Sequence, residues 1–173
     1  MILIEPTMEY ARQIREFRRE LLLCGDTMDG TGALKMYDDP ERWIAFVTSC
    51  KDPDKVRPGL VPATQFICVR EEDKKIVGMI QIRHSLNPFL EKYGGHIGYC
   101  VSPGERRNGY GTKMLKMALK ECRKIGLEMV LVTCIRGNEG SRGVIMNNGG
   151  IYESTVFEKN RGLHLERYWI DIS

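Results

Sequence analysis

Residues 102–113 read Ser-Pro-Gly-Glu-Arg-Arg-Asn-Gly-Tyr-Gly-Thr-Lys, and they lie between an apolar segment at 96–101 and an amphipathic one at 109–124. Glycines at such a junction let backbone N–H groups turn outward into a concave nest, and a helix N-terminus adds partial positive charge. A chain with this arrangement can hold an anion at a strand-to-helix turn with few side chains. The helix that follows carries Leu115, Ala118, Leu119 and Cys122 on one face. Residues 129–135 are apolar almost throughout, as in a central strand covered on both faces. Strand, helix and strand within about 40 residues make a right-handed βαβ unit in a partly parallel sheet.

Around this unit the remaining segments read as an α/β (α+β) domain spanning 1–173, with a mixed central sheet, an N-terminal helix pair and a C-terminal β hairpin. The first element expected is a helix after Pro6, capped by Thr7, with Met8, Ala11, Ile14, Phe17 and Leu21 at three- and four-residue steps and Gly25 as its stop. A second helix begins at Asp39-Pro40-Glu41, where Asp caps and Pro suits the first helical position, and it buries Trp43, Phe46, Val47 and Cys50. Residues 65–70 and 75–83 form a hairpin through the charged turn 71–74. A short helix spans about 140–147, and two strands, 151–157 and 163–172, close the chain. Tyr168, Trp169 and Ile170 on the last strand are placed to pair across a homodimer.

Composition removes several classes. The longest apolar runs, 21–24 and 129–132, fall far short of the about 20 residues of a membrane span, and the N-terminus lacks the basic and apolar regions of a signal peptide. A cytoplasmic location is expected. The six cysteines, at 24, 50, 68, 100, 122 and 134, mostly occupy apolar segments and read as reduced, buried thiols. No C-x-x-C pair or histidine spacing marks a metal site. The formal net charge of +3 is too small for a general nucleic-acid binder.

Two phosphate loops fail against residues 104–114. The G-x-x-x-x-G-K-[ST] pattern places Gly104 and Gly109 correctly but finds Tyr110 where a lysine must reach the phosphates, and G-x-G-x-x-G starts at Gly109 and Gly111 but fails at Met114. What fits is R-x-x-G-x-G, as Arg106-Arg107-Asn108-Gly109-Tyr110-Gly111. With the preceding Gly98-Tyr99-Cys100-Val101-Ser102-Pro103 and the later Asn138-Glu139-Gly140-Ser141, the chain resembles the GCN5-related N-acetyltransferase (GNAT) family. The resemblance spans roughly 65–157 by element order and is most specific over 96–150. A bare turn into a helix is the competing reading of the short pattern.

The resemblance implies a single GNAT-like domain that binds acetyl-coenzyme A. In that family this signature wraps the cofactor's pyrophosphate, so the main-chain N–H groups of Arg106, Arg107, Asn108, Gly109, Tyr110, Gly111 and Thr112 take that role, with the two arginines adding charge-assisted contacts. The backbone of Cys100 and Val101 pairs with the pantetheine arm as a short extra strand. Asn138 bonds the pantetheine or merely caps a turn, and Ser141 serves there or as an N-cap. His96 stands where many relatives carry a glutamate base, and it reads either as that base or as a hydrogen-bonded histidine at a strand start. The tyrosine acid that relatives often carry seven residues past the Asn is replaced by Ile145, leaving Tyr152, another group or water to protonate the thiolate. Tyr99 and Tyr152 read as packing residues, and a covalent route through Cys100 has little support.

The activity implied is direct attack of a primary amine, of a small molecule or peptide, on acetyl-coenzyme A. A coenzyme A-binding sensor without turnover is the alternative. No motif marks the acceptor. Asp26, Asp29, Asp38 and Asp39 lie beside the two N-terminal helices expected to cover the acceptor side. Of these, Asp26 and Asp29 are candidates to attract a cationic amine, their competing roles being turn residues, as Asp39's is a helix cap.

Overall fold

Residues 129–135, expected as a covered central strand, lie inside the sheet. In the computed structural model, which describes residues 1–173, Met129–Ile135 forms a strand whose Val130, Leu131 and Val132 are fully buried. It belongs to one mixed sheet of seven strands: β1 (Ile2–Ile4), β2 (Ala63–Val69), β3 (Ile76–Arg83), β4 (Ile97–Val101), β5 (Met129–Ile135), β6 (Ile151–Glu158) and β7 (Leu163–Asp171), ordered β1-β2-β3-β4-β5-β7-β6. Every neighbouring pair is antiparallel except β4–β5, which is parallel because α3 (Tyr110–Lys124) crosses between them.

Both faces of the sheet are covered, so the central strands need apolar residues on both sides. On one face lie α1 (Ala11–Leu23) and α2 (Pro40–Ser49), whose Ile14, Phe17, Leu21, Trp43 and Val47 pack on Ile67, Val69, Met79 and Cys100. On the other, α3 buries Met114, Leu115, Ala118, Leu119 and Cys122 against Ile80, Ile82, Ile97, Val130 and Val132. The short α4 (Glu139–Met146) adds Ile145 to that second cluster. The expected cap of α2 is present: Asp39 Oδ1 accepts from the Glu41 N–H at 3.0 Å, with Pro40 at the first helical position. No helix is long and apolar enough to cross a membrane.

Three expectations change. The first element is a strand, not a helix. Ile2, Leu3 and Ile4 pair with Val69, Cys68 and Ile67, a three-residue pairing too short to carry a periodic signal. Helix α1 is entered through a 3₁₀ turn at Met8–Tyr10, and Thr7 makes no side-chain cap. The last strand, β7, lies inside the sheet between β5 and β6, with Tyr168 and Ile170 buried, so Tyr168, Trp169 and Ile170 are not placed to pair with a second copy; the sheet's edges are β1 and β6.

Candidate functional site

Strands β4 and β5 share a single parallel register pair, Ile97 with Val132, although β4 runs on to Val101 and β5 to Ile135. Beyond that pair the strands part, and a cleft of about 1070 Å³ opens between them. Its closed end is set by the connection ahead of β4. A π-helical turn at Leu90–Gly94 packs on β5, where Thr133 Oγ1 donates to the Tyr93 carbonyl at 3.0 Å. Gly95 sits so close that a β-carbon there would lie 2.5 Å from the Leu131 carbonyl oxygen.

At the open end, β4 leads through a 3₁₀ turn, Pro103–Glu105, to α3. Arg107 and Gly109 both adopt positive φ, +66° and +75°, turning the backbone into the concave form expected of a nest at the helix start. A brace beneath it was not legible in the sequence: the buried Glu105 carboxylate pairs with Arg70 at 2.9 Å and Lys75 at 2.8 Å, and Arg70 also donates to the Tyr110 hydroxyl at 3.0 Å. Arg70, Lys75 and Glu105 occupy three separate segments, so no local spacing reveals them. Arg106 reaches across to Asp26 at 2.5 Å and donates from Nε to the Val101 carbonyl at 3.2 Å. Cys100, Val101, Arg106, Arg107, Gly109, Tyr110, Gly111 and Thr112 all line the cleft. Asn108 does not; its side-chain amide turns back to the Glu105 carbonyl at 3.3 Å. The Cys100 side chain packs among the buried residues beneath α1 and α2, and burial pushes its thiol pKa up, away from the thiolate that a nucleophile requires.

The opposite wall is the start of α4. Asn138 caps that helix, its Oδ1 accepting from the Ser141 N–H at 3.0 Å, so the capping role open to Ser141 belongs to Asn138. Ser141 Oγ instead lies 2.8 Å from the Tyr99 hydroxyl. Tyr99 thus spans from β4 to α4, and burial raises its pKa, keeping the phenol protonated. Ile145 is fully buried in the core, while Tyr152 is exposed, pairs with Thr155 and lies away from the cleft.

Asp26 and Asp29 reach the cleft from the loop that follows α1. That loop is held from several sides: Gln65 Nε2 donates to the Gly30 carbonyl at 2.9 Å, and the Trp43 indole donates to the carbonyls of Thr31 and Gly32 at 3.0 Å. Asp26 is paired with Arg106, Asp38 with Arg18 at 2.6 Å, and Asp39 caps α2. Of the two that line the cleft, Asp29 has no cationic partner within ion-pair distance; Thr27 Oγ1 donates to it at 2.8 Å. Arg83, Phe89, Leu90 and Tyr93 complete this side, with Glu158 at the end of β6 and Arg161 from the turn that follows.

The structure does not bring His96 to the cleft. The ring is buried, and Nδ1 accepts from the Leu131 N–H at 2.9 Å, so the neutral imidazole carries its hydrogen on Nε2 and has no free lone pair to take a substrate proton. Burial, reinforced by the Arg83 charge, lowers its pKa to about 4. The hydrogen-bonded histidine at a strand start describes this geometry, and the general-base expectation does not.

The acetyltransferase (GNAT) family matches residues 30–149. Among solved structures the chain is similar to a ribosomal-protein-S5-alanine acetyltransferase from Vibrio fischeri, at TM-score 0.72 and 16% identity over 98% of this chain and 91% of that one. It is also similar to RimJ from Mycobacterium smegmatis in complex with CoA-disulfide, at TM-score 0.71 and 19% identity over 98% and 81%. A spermidine N-acetyltransferase variant from Vibrio cholerae aligns at TM-score 0.65 and 11% identity over 99% and 95%. No curated protein sequence matches the chain. At these identities the structural likeness establishes the fold.

Proposed function

The chain belongs to the acetyltransferase (GNAT) family, and on that premise we propose that the β4–β5 cleft binds acetyl-coenzyme A and passes its acetyl group directly to a primary amine of a small molecule or peptide. The carrying observation is that two features share one cleft: a strand edge on β4 that β5 leaves free beyond Ile97, and a concave helix start at Arg107–Gly109. The first suits an extended amide chain such as pantetheine, and the second suits a pyrophosphate. A volume of about 1070 Å³ accommodates a molecule of that size.

In this reading the backbone N–H groups from Arg106 to Thr112 hold the pyrophosphate, and Arg107 adds charge. Arg106 does so once it is drawn from Asp26 and Val101. The free edge of β4 at Cys100 and Val101, with Asn138 opposite, receives the pantetheine. The acceptor arrives beside Asp29 as an ammonium, releases one proton to water, and attacks the thioester carbonyl as the free amine; collapse of the adduct breaks the C–S bond, and the second amine proton passes to solvent as the thiolate leaves. His96 is assigned to structure rather than proton transfer, and Tyr99, its hydroxyl hydrogen-bonded to Ser141 on the cleft wall, is assigned to hydrogen-bond the departing thiolate in place of the tyrosine that Ile145 replaces. Six free thiols, five of them buried, accord with the reducing cytoplasm as the site of the reaction.

The test is release of free coenzyme A thiol from acetyl-coenzyme A in the presence of an amine panel, with mass spectrometry of the amine. Amine-dependent thiol release with acetylated product supports the reading. Binding of acetyl-coenzyme A without turnover of any amine identifies a sensor instead.

A further inference from the structure

Two arginines reach the π-helical turn that closes the cleft, and their surroundings differ. Arg167, on β7, donates from Nη1 to the Glu91 carbonyl and to the Lys92 carbonyl at 3.0 Å, and the rest of its guanidinium is neutralised by Glu153, with Nε at 2.5 Å and Nη2 at 3.2 Å. Arg83, at the end of β3, donates from Nη1 to the carbonyls of Gly94 and Gly95, both at 2.9 Å, and has no carboxylate within ion-pair distance. Its Nε and Nη2 have no hydrogen-bond partner and are not fully buried, and the residue lines the cleft. Nη2 lies against the backbone of Gly98, 3.3 Å from where a β-carbon would stand, close to the point where β4 and β5 part.

A partly buried cation of this kind is costly unless an anion meets it. The surroundings sharpen that cost: Phe89, Leu90 and Tyr93 line the same side, and the desolvation they help to cause lowers the Arg83 pKa, opposed only by the field of Asp29. The turn has other anchors, Arg167 and Thr133, so holding it does not require the Arg83 charge. A guanidinium with one nitrogen pinned and an adjacent N–H edge free is pre-oriented for a carboxylate, which accepts two parallel hydrogen bonds.

We propose that Arg83 is the carboxylate-recognition residue of the acceptor site, and that the acceptor is a molecule carrying both an amine and a carboxylate, of the amino-acid class, with its ammonium toward Asp29. This deepens the acetyl-transfer reading and rests on it for the identity of the site. Asp29 and Arg83 are charges of opposite sign on the same side of one cleft, near enough that the field of Asp29 acts on Arg83 without an ion pair forming, and they match the two ends of such a zwitterion.

The experiment has two arms. In the first, kcat/KM is measured for matched pairs of an α-amino acid and its decarboxylated amine, with phenylalanine and 2-phenylethylamine as one pair. The wild type should favour the carboxylated member at least tenfold, Arg83→Met should erase that preference through the carboxylated member alone, and Arg83→Lys should restore part of it. In the second, calorimetry on the coenzyme A-loaded protein measures binding of 3-phenylpropionate against its neutral amide, which needs no turnover; only the carboxylate should bind, and Arg83→Met should remove that binding. Equal losses for both members of a pair in Arg83→Met, or no carboxylate binding in the wild type, overturn the assignment. Acetylation confined to amines without a carboxylate overturns it too and leaves the acetyl-transfer reading intact. Carboxylate binding with no amine acetylated would sustain the Arg83 site and sink the transfer reading.

Discussion

Gly30 rests backbone on backbone against Gly98: a β-carbon built on Gly30 would lie 2.0 Å from the Gly98 carbonyl oxygen, and one on Gly98 would lie 2.9 Å from the Gly30 nitrogen. The loop after α1 thereby sits directly on the strand that lines the cleft, and at φ +73° a side chain on Gly30 would carry about 1–2 kcal/mol of backbone strain even with more room. We expect Gly30→Ala to lower stability by an amount on the order of 1–3 kcal/mol and to raise KM for the acceptor more than for acetyl-coenzyme A. Thermal denaturation and initial-rate kinetics check this. An unchanged melting temperature with unchanged KM would show that the contact is loose in solution.

The two glycines of the anion loop should fail differently. Gly109 has open space around its β position, so Gly109→Glu adds about 1–2 kcal/mol of backbone strain and places negative charge at the nest. A folded protein with at least a hundredfold weaker acetyl-coenzyme A binding is expected. At Gly111 a β-carbon would stand 2.9 Å from Val144 Cγ2, where α3 packs on α4. Gly111→Asp should therefore lower the melting temperature as well as affinity. Calorimetry beside circular dichroism separates the two; full affinity in Gly109→Glu would exclude the loop from binding.

His96 yields a prediction about pH. Its folded pKa of about 4 lies below the reference near 6.5, so the unfolded chain binds more protons between those values and stability falls as pH drops through that window. The accumulated loss approaches about 3 kcal/mol at the acid end. His96→Asn should flatten this dependence, and kcat/KM of the wild type should show no rising limb attributable to a histidine near pH 6.5. A limb there that disappears in the variant would return His96 to catalysis.

Tyr99→Phe should slow turnover on the order of 10²-fold, the low end of general acid–base contributions, with acetyl-coenzyme A affinity changed by less than threefold. Ser141→Ala, which removes only the partner of the phenol, should have a smaller effect in the same direction. Thiol-release kinetics with calorimetry check both; a wild-type rate in Tyr99→Phe would leave the thiolate to solvent.

What the sequence conveyed and what it hid divide along contact range. The bounds of β5, the helical face of α3, the Asp39 cap and the R-x-x-G-x-G turn were legible because each is written within a few consecutive residues. The partners of His96 and Glu105 were not. Leu131 is 35 residues from His96, while Arg70 and Lys75 are 35 and 30 residues from Glu105. In the sequence Asp26 looks free to meet a cation, but Arg106, 80 residues on, neutralises it. Arg83 is hidden in the sequence for a related reason: its significance lies in the carboxylate it lacks, set against the Glu153 that Arg167 has. The interior place of β7 was hidden because an apolar strand at a chain end looks the same whether it borders the sheet or is inserted into it.

The most direct measurement is amide hydrogen exchange with and without coenzyme A. The account predicts slowed exchange confined to residues 98–112, across the β4 edge and the start of α3, and to residues 133–141 on the facing wall, with β6 and the outer strands unchanged. Protection absent from 98–112, or found mainly elsewhere, would contradict the assignment of the β4–β5 cleft as the cofactor site.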